Sequence, residues 1–363
     1  MSPGGREAYA ADARVRMARP GDLDELVALA RTSVGLMTTM PRDRAAMEAR
    51  LAEAVTSVDP GRAVTGDETY LFVLEEDGAV VGLSAIFAVV GRHRPFYNYK
   101  VLHLTKTAPE LGVRVDAKAL HPTNDYTGFA EVGTLFLRPD RRGGGRGRLL
   151  SLARLLFIAV HRDRFGDGVM AEMRGWTDAE GRSPFWEAVG RRFFTMELDA
   201  ADVLSGREFR FIADLLPSYP IYIDLLPDDA RAVIGVAHDG ARPAMAMLES
   251  EGFRDHGYVD VFDAGPCRDA HIDDLRVVRE AARGPCTIAA PVDARAEADR
   301  RLVATTGLGD FAVVVAPAEL GGGTVTIGPE TASLLGAAAG DELIAHRPSP
   351  TRDGGPATGE RPR

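Results

Sequence analysis

The sequence predicts an α/β fold of the mixed α+β kind, and three observations carry the prediction. Residues 135–150, LFLRPDRRGGGRGRLL, read as a buried strand end, a proline stop, a glycine-rich loop and the start of an apolar helix. Residues 70–74 and 80–90 are β-rich runs separated by Glu75, Glu76, Asp77 and Gly78, and Asp-Gly between two such runs signals a hairpin. Helical patterns precede and follow these strands.

Taken in order, residues 1–12 are small and polar and are expected to be a disordered tail. Residues 15–18 make a short strand that Pro20 breaks, and Asp22 caps a helix with Leu23, Leu26, Leu29 and Ala30 on one face. Pro41 precedes a second helix over 42–55, whose apolar face Leu51 and Val55 continue. After the hairpin, residues 95–104, PFYNYKVLHL, form another strand or a substrate wall. Residues 121–128, HPTNDYTG, are polar and turn-forming, and lead through Glu131 into the strand that feeds the glycine loop. Beyond the loop come a helix over 149–160, a strand over 169–174, and a short amphipathic helix in SPFWEAVG at 183–190. Residues 241–253, ARPAMAMLESEGF, are a further helix with Pro243 in its first turn and Gly252 at its close, followed by a strand over 258–262. Strands at 311–316 and 324–327, a helix at 329–337 and a last strand after Gly340, Asp341 and Glu342 make a small β-rich appendage. Residues 348–363 are rich in Pro, Gly and Arg and are expected to be disordered.

A chain of 363 residues has room for more than one domain. Its 43 basic and 53 acidic residues give a formal net charge of −10, which argues against a nucleic-acid partner. Against that acidic background Arg138, Arg141, Arg142, Arg146 and Arg148 gather at the glycine loop, a local cationic site suited to a small anionic ligand. The only cysteines, Cys267 and Cys286, each follow Gly-Pro and are expected on loops or edges. They are too few for a disulfide framework and lack the paired spacing of a zinc site, so no metal is expected. The amino terminus lacks a signal core or a transit-peptide face, and no apolar run approaches the roughly 18 residues of a membrane span. The expectation is a cytoplasmic protein with no membrane partner.

Gly143, Gly144, Gly145 and Gly147 let successive backbone N–H groups turn toward one point, and the following helix adds the positive end of its dipole there. Such a point attracts phosphate. A nucleoside triphosphate loop needs Lys and then Ser or Thr after its last glycine, whereas Arg148 and Leu149 follow Gly147. A dinucleotide fingerprint counted from Gly143 needs a sixth-position glycine, and Arg148 stands there. The pattern Arg142, Gly143, Gly145, Gly147 after a strand and a proline instead resembles the pyrophosphate loop of the GCN5-related N-acetyltransferases, which holds an acyl-coenzyme A.

A longer resemblance runs along the chain. PFYNYK, TNDYTG, EVGTLFLRPD, VMAEMRG, SPFWEAVGRRFF, PIY at 220–222, VIGVAH and LESEGFRDHGYVDVFDAGP, in this order, resemble the arginine N-succinyltransferase family. Two departures stand out: Tyr126 replaces the histidine expected in the NDxTG string, and residues 266–301 match poorly. The resemblance implies one complete acyltransferase unit of the GCN5-related fold at 13–200 and a partial second unit at 201–265. A connector at 266–300 and the β-rich unit at 301–347 would follow. It implies transfer of a succinyl group from succinyl-CoA, as co-substrate, to the α-amino group of L-arginine, in arginine catabolism. Donors or acceptors of another kind, such as ornithine, are the alternative within enzymes, and a non-catalytic sensor of acyl-CoA or arginine is the alternative outside them. The assembly implied is a homodimer or a heteromer with a paralogous subunit.

An amine must be neutral to attack, and an α-amino group has a pKa of about 8, so a proton has to leave it, and the coenzyme A thiolate needs a donor. Among eight histidines, His161 lies in a run of Arg and Asp at a helix end and is expected to be solvated, His346 sits by the carboxy-terminal tail, and His93 lies between two arginines. His238 lies between one helix and the next, and the resemblance places the family's proton donor on it. The tyrosine that many superfamily members use as acid would fall at Trp186 or Leu248, neither of which can protonate a thiolate. Leu135 matches the family's succinyl-CoA position, through the strand backbone. Arginine's guanidinium needs a carboxylate fork, for which Asp125, Glu131 and Glu172 are candidates. Arg174 and Lys100 are candidates for the succinyl carboxylate.

Overall fold

The computed structural model describes residues 13–33, 39–205, 210–289 and 300–348. The tail expected at 1–12, and all but the first residue of that expected at 348–363, lie outside these. The first strand, β1 (Arg14–Met17), is followed by α1 (Leu23–Thr32) and α2 (Arg44–Ser57). The hairpin is β2 (Thr69–Glu76) and β3 (Ala79–Phe87), turned by Asp77 at φ 52° and Gly78 at φ 76°. A long second hairpin, β4 (Asn98–Ala108) and β5 (Val113–Thr123), precedes β6 (Ala130–Leu137), the glycine loop, α3 (Arg146–Val160) and β7 (Gly168–Glu172). Then come α4 (Arg191–Phe194), α5 (Leu198–Ser205), α6 (Arg210–Leu215), β8 (Ile221–Tyr222), α7 (Asp228–Val233), α8 (Arg242–Ser250), β9 (Tyr258–Asp260) and β10 (Cys267–His271). The chain closes with α9 (Arg276–Glu280), β11 (Ala282–Ile288), β12 (Arg300–Thr305), β13 (Ala312–Gly321), β14 (Thr324–Ile327), α10 (Pro329–Leu335) and β15 (Glu342–His346).

Eleven strands form one sheet in the order β10-β7-β6-β3-β2-β1-β13-β12-β15-β11-β14. Apolar residues on both faces of β2 explain its double cover: Tyr70, Phe72 and Leu74 share a core with α3, while Leu71 and Val73 pack with α1 and α2. Helix α3 is buried along 149–159, so it is apolar nearly all round. A separate four-stranded sheet, β8-β5-β4-β9, has its own core of Tyr99, Leu120, Phe185, Trp186 and Phe194.

The strand pairings redraw the expected domain organisation. Residues 201–265 do not build a second acyltransferase unit. Leu248 of α8 and Phe253 after it enter the same core as α3, and β10 then pairs antiparallel with β7, completing the first sheet. The helix in SPFWEAVG, expected in that place, packs instead under the small sheet. Local periodicity announces a helix but not which core receives it. The expected β-rich unit has a core of its own about Val303, Val314, Val325 and Leu343, and joins the main sheet where β13 pairs with β1 across Arg14 and Val314. Finally, the supposed connector carries β10, α9 and β11, with Cys267 on β10, an edge strand as expected, and Cys286 on the inner strand β11, both buried and unbridged.

Candidate active site

The site begins where two parallel strands part. Strands β6 and β7 pair at Ala130 with Val169 and Glu131 with Met170, and β6 then runs on to Leu137 without β7 beside it. On its other edge β6 is irregular. Its register with β3 shifts between Leu83 and Ala85, and Thr134 takes φ 50°, a left-handed conformation rare for a β-branched residue. The irregularity lies just beyond the last β6–β7 pair, so the backbone of β6 past Glu131 has no strand partner on the β7 side and leaves an opening there. Leu135 sits in that stretch with its side chain packed on the main core.

At the far end of β6 the glycine loop has the expected form. Gly143, Gly144 and Gly145 stand at φ 93°, 57° and 67°, and Gly145 is the residue from which α3 starts. Gly147 lies in the first turn of α3, with open space where a Cβ would be. The first N–H groups of a helix have no intrahelical partner, so this end presents donors to an anion. Arg142 is exposed beside the loop. The loop is anchored by a residue that sequence reasoning missed. Glu76, at the end of β2 and 6% exposed, accepts from Nε of Arg146 at 2.9 Å and Nη1 of Arg141 at 2.9 Å. Hydrogen bonding from Arg146 holds its carboxyl below the ordinary range. Two of the five arginines that mark the loop therefore fix its shape. An acid ending one hairpin strand gave no local signal of that task.

Across the opening, the chain beyond β7 continues extended against residues 236–238. Trp176 N–H donates to Val236 O at 3.0 Å and His238 N–H to Arg174 O at 2.8 Å. This pairing sets His238 at the carboxy-terminal end of β7. The ring's Nδ1 accepts the Gly240 N–H at 3.0 Å, which requires that nitrogen to be unprotonated and puts the ring hydrogen on Nε2. Burial and the neighbouring Arg174 both lower its pKa. Arg174 bonds Thr177 through Nη2 at 3.3 Å, and its Nε is buried without a partner.

Beneath this end four strand termini converge. Asn98 of β4 lies opposite Asp260 of β9, and Cys267 of β10 lies opposite Glu172 of β7. Asn98 Nδ2 donates to Glu172 Oε1 at 2.7 Å. Burial pushes the Glu172 carboxyl well up, with Asp260 and Glu131 adding to the effect. Burial likewise raises Asp260 to about 7. Asp263 accepts from the N–H groups of Gly175 at 2.7 Å and Gly265 at 2.8 Å, tying the 260–265 turn to the end of β7. Asn98 and Asp263 occur in strings the resemblance singled out, PFYNYK and DAGP, but only the fold shows that they meet.

The remaining candidates are placed elsewhere or already engaged. Glu131 lies among Arg50, Arg94 and Arg154, and burial outweighs them to lift its pKa to about 7, so the chain's own guanidiniums face it. Asp125 is exposed and accepts from Thr123 Oγ1 and Tyr258 OH. Lys100 lies 3.8 Å from the centre of the Tyr258 ring and donates to the His256 carbonyl. Tyr126, the departure from the family string, is buried and donates to Asp269 Oδ2 at 2.7 Å. Two other histidines differ from expectation. His161 packs on Phe157 with ring centres 4.5 Å apart, and burial holds its pKa to about 4. His346 is buried beside Arg276 and Glu251, because β15 is an inner strand and not the edge of a tail. Among the described residues no group of three or more His, Cys, Asp or Glu is arranged to hold a metal ion.

A family model described as arginine N-succinyltransferase beta subunit matches residues 13–277, and one described as its C-terminal domain matches residues 285–345. The chain belongs to the arginine N-succinyltransferase family. Within that family it is 43% identical over 333 residues to arginine N-succinyltransferase subunit beta of Pseudomonas aeruginosa, covering 91% of this chain and 97% of that one. It is 42% identical over 342 residues to arginine N-succinyltransferase of Yersinia pestis, covering 91% and 96%. A solved structure, that of arginine/ornithine succinyltransferase subunit AI from Pseudomonas aeruginosa, matches with a TM-score of 0.83 at 31% identity, over 94% of this chain and 100% of that one. The arginine N-succinyltransferase match thus includes both the opening between β6 and β7 and the carboxy-terminal strands.

Proposed function

We propose that the protein transfers the succinyl group of succinyl-CoA to the α-amino group of L-arginine in arginine breakdown. The observation that carries this reading is the opening between β6 and β7, with a left-handed glycine loop at one end and His238 at the other. An acyl-CoA fits it in parts. The loop and the start of α3 supply N–H donors and positive potential for the pyrophosphate, Arg142 adds a cation, and the free edge of β6 around Leu135 supplies backbone partners for the pantetheine amides.

In the reaction the neutral α-amine adds to the thioester carbonyl carbon. The tetrahedral adduct expels the thiolate, and the proton lost from nitrogen ends on sulfur. His238, neutral and carrying its hydrogen on Nε2, is assigned the donor that meets the developing charge on sulfur. Arg174 is assigned a substrate carboxylate, since its buried Nε has no partner in the chain and it borders His238. Both substrates are charged metabolites of the cytoplasm, where this reading places the enzyme. Subunit names among the relatives support an oligomer, and the mass in solution would tell a homodimer from a chain that awaits a paralogue.

Release of free thiol from succinyl-CoA, measured with arginine, ornithine and no acceptor, tests the assignment. Arginine-dependent release is expected, and none from any acceptor would sink it. His238→Ala should then lower kcat by roughly a hundredfold to ten-thousandfold with both KM values nearly intact, the range for loss of a proton donor. Near-normal turnover in that folded variant would remove His238 from the mechanism.

A further inference from the structure

Among the described residues Glu172, Asp260 and Asp263 are held together with no basic side chain bonded to Glu172 or Asp260, an arrangement that leaves those acids either holding their protons or in want of a compensating cation. Asp263 is satisfied by the Gly175 and Gly265 N–H groups, and Asp260 receives the N–H groups of Phe262 and Asp263 at 2.7 and 2.9 Å. These bonds explain the turn that holds the acids, but they supply only partial charges. Glu172 keeps some solvent-accessible surface although protein surrounds it, as a group on the floor of a cleft does.

The decisive atom is an uncharged one. Asn98 is 0% exposed, and its Nδ2 donates to Glu172 Oε1 at 2.7 Å and reaches Cys267 Sγ at 3.5 Å. Its Oδ1, on the same planar amide beside the Glu172 carboxyl, is buried with no hydrogen-bond partner. A buried carbonyl oxygen left unmatched is costly, and in a folded protein it usually marks the place of a missing donor. A group that donates hydrogen bonds, accepts none and carries positive charge would match both this oxygen and the acids beside it. Among the described residues no group of three or more His, Cys, Asp or Glu is arranged to hold a metal ion there.

On the reading that L-arginine is the acceptor, we propose that Glu172 and Asn98, backed by the negative potential of Asp260, seat its guanidinium group. The chemistry distinguishes the two cationic ends of arginine. A guanidinium has five donors, no acceptor and a permanent charge, so carboxylates around it gain attraction without stripping it of a proton. The α-ammonium must shed a proton to react, and acids around it would hold that proton on. The cluster therefore suits the remote end of the substrate and would inhibit the reacting end. Reach agrees: Arg174, whose carbonyl holds His238, lies two residues beyond Glu172 along extended chain, about 7 Å, the order of an arginine side chain's span.

The test compares L-arginine with L-citrulline, in which a neutral urea replaces the guanidinium. The unaltered enzyme should favour arginine in kcat/KM, and Glu172→Gln should raise KM for arginine by about tenfold to a hundredfold while leaving KM for succinyl-CoA unchanged. The preference over citrulline should shrink by the same factor. Asn98→Leu, which removes the orphaned oxygen but no charge, should also raise KM for arginine, and serves if Glu172→Gln does not fold. Arginine should raise the melting temperature of the unaltered protein and not that of either variant. Folded variants that keep the full preference for arginine and its thermal shift would overturn the proposal. Absence of arginine-dependent thiol release from the unaltered enzyme would instead overturn the activity on which it rests.

Discussion

The N–H of Gly240 decides which nitrogen of His238 carries the hydrogen, and with it what the ring can do. A second proton on Nδ1 would face that N–H, so the local backbone adds to burial and Arg174 in opposing the charged ring. The ring should therefore be neutral through the neutral range and gain its proton only below the ordinary histidine value of about 6.5. Turnover measured against pH should show an ionisation there, and one at 7 or above in its place would contradict the assignment. The same depressed value means that the unfolded chain binds this proton first as pH falls, so its contribution to stability weakens on acidification. Glu172 and Asp260 work in the opposite sense. Their raised values mean that the folded state holds protons the unfolded chain has released, so stability falls as pH rises from about 4 to about 7, where burial places Asp260. Melting curves across that interval should show the loss, and saturating arginine should remove it. None of these partnerships was open to sequence reasoning, since Asn98 and Glu172 belong to different strings and meet only when β4, β9, β10 and β7 come together.

At the scale of one element, the glycine loop was legible because all its requirements are local. A strand, a proline stop, left-handed residues and a helix start lie within 16 consecutive positions, 135–150. Gly145 at φ 67° is the residue where this can be tested without touching charge. Gly145→Val puts a β-branched side chain into a conformation it resists, at a strain of about 1 to 3 kcal/mol, and should raise KM for succinyl-CoA while arginine binding stays put. Glu76 allows a complementary test from beneath. Glu76→Gln removes the charge that draws Arg141 and Arg146 inward, so donor affinity should fall about tenfold although position 76 meets no substrate. Calorimetric titration with coenzyme A would read both variants, and unchanged affinity in either would dissociate loop shape from donor binding. The bulge at Thr134 was not legible in the same way. Nothing in EVGTLFL announces a positive φ at a threonine, because that conformation is imposed by the register with β3.

For the molecule as a whole, the sequence conveyed the strands and helices better than their partners. The expected separate appendage shows why: β12, β13, β14 and β15 look self-sufficient in composition, yet β13 is the neighbour of β1 in the main sheet. Phe311, just before β13, stands 5.1 Å from Phe157 of α3 and 6.1 Å from Phe72 of β2, ring centre to ring centre. A chain ending at residue 289 should therefore lose a core aromatic and uncover β1, and melt lower by about 10 °C or more if it stays soluble. An unchanged melting temperature would show that the carboxy-terminal strands are dispensable to the sheet. The pairing of Arg14 with Val314 also bears on how the protein is made. A ribosome must deliver nearly the whole chain before the first strand acquires its second neighbour, and until then an open strand edge and the aromatic surface of β2 wait beside it. Such high contact order slows folding, and an open β-edge on a nascent chain is the kind of surface that chaperones shield.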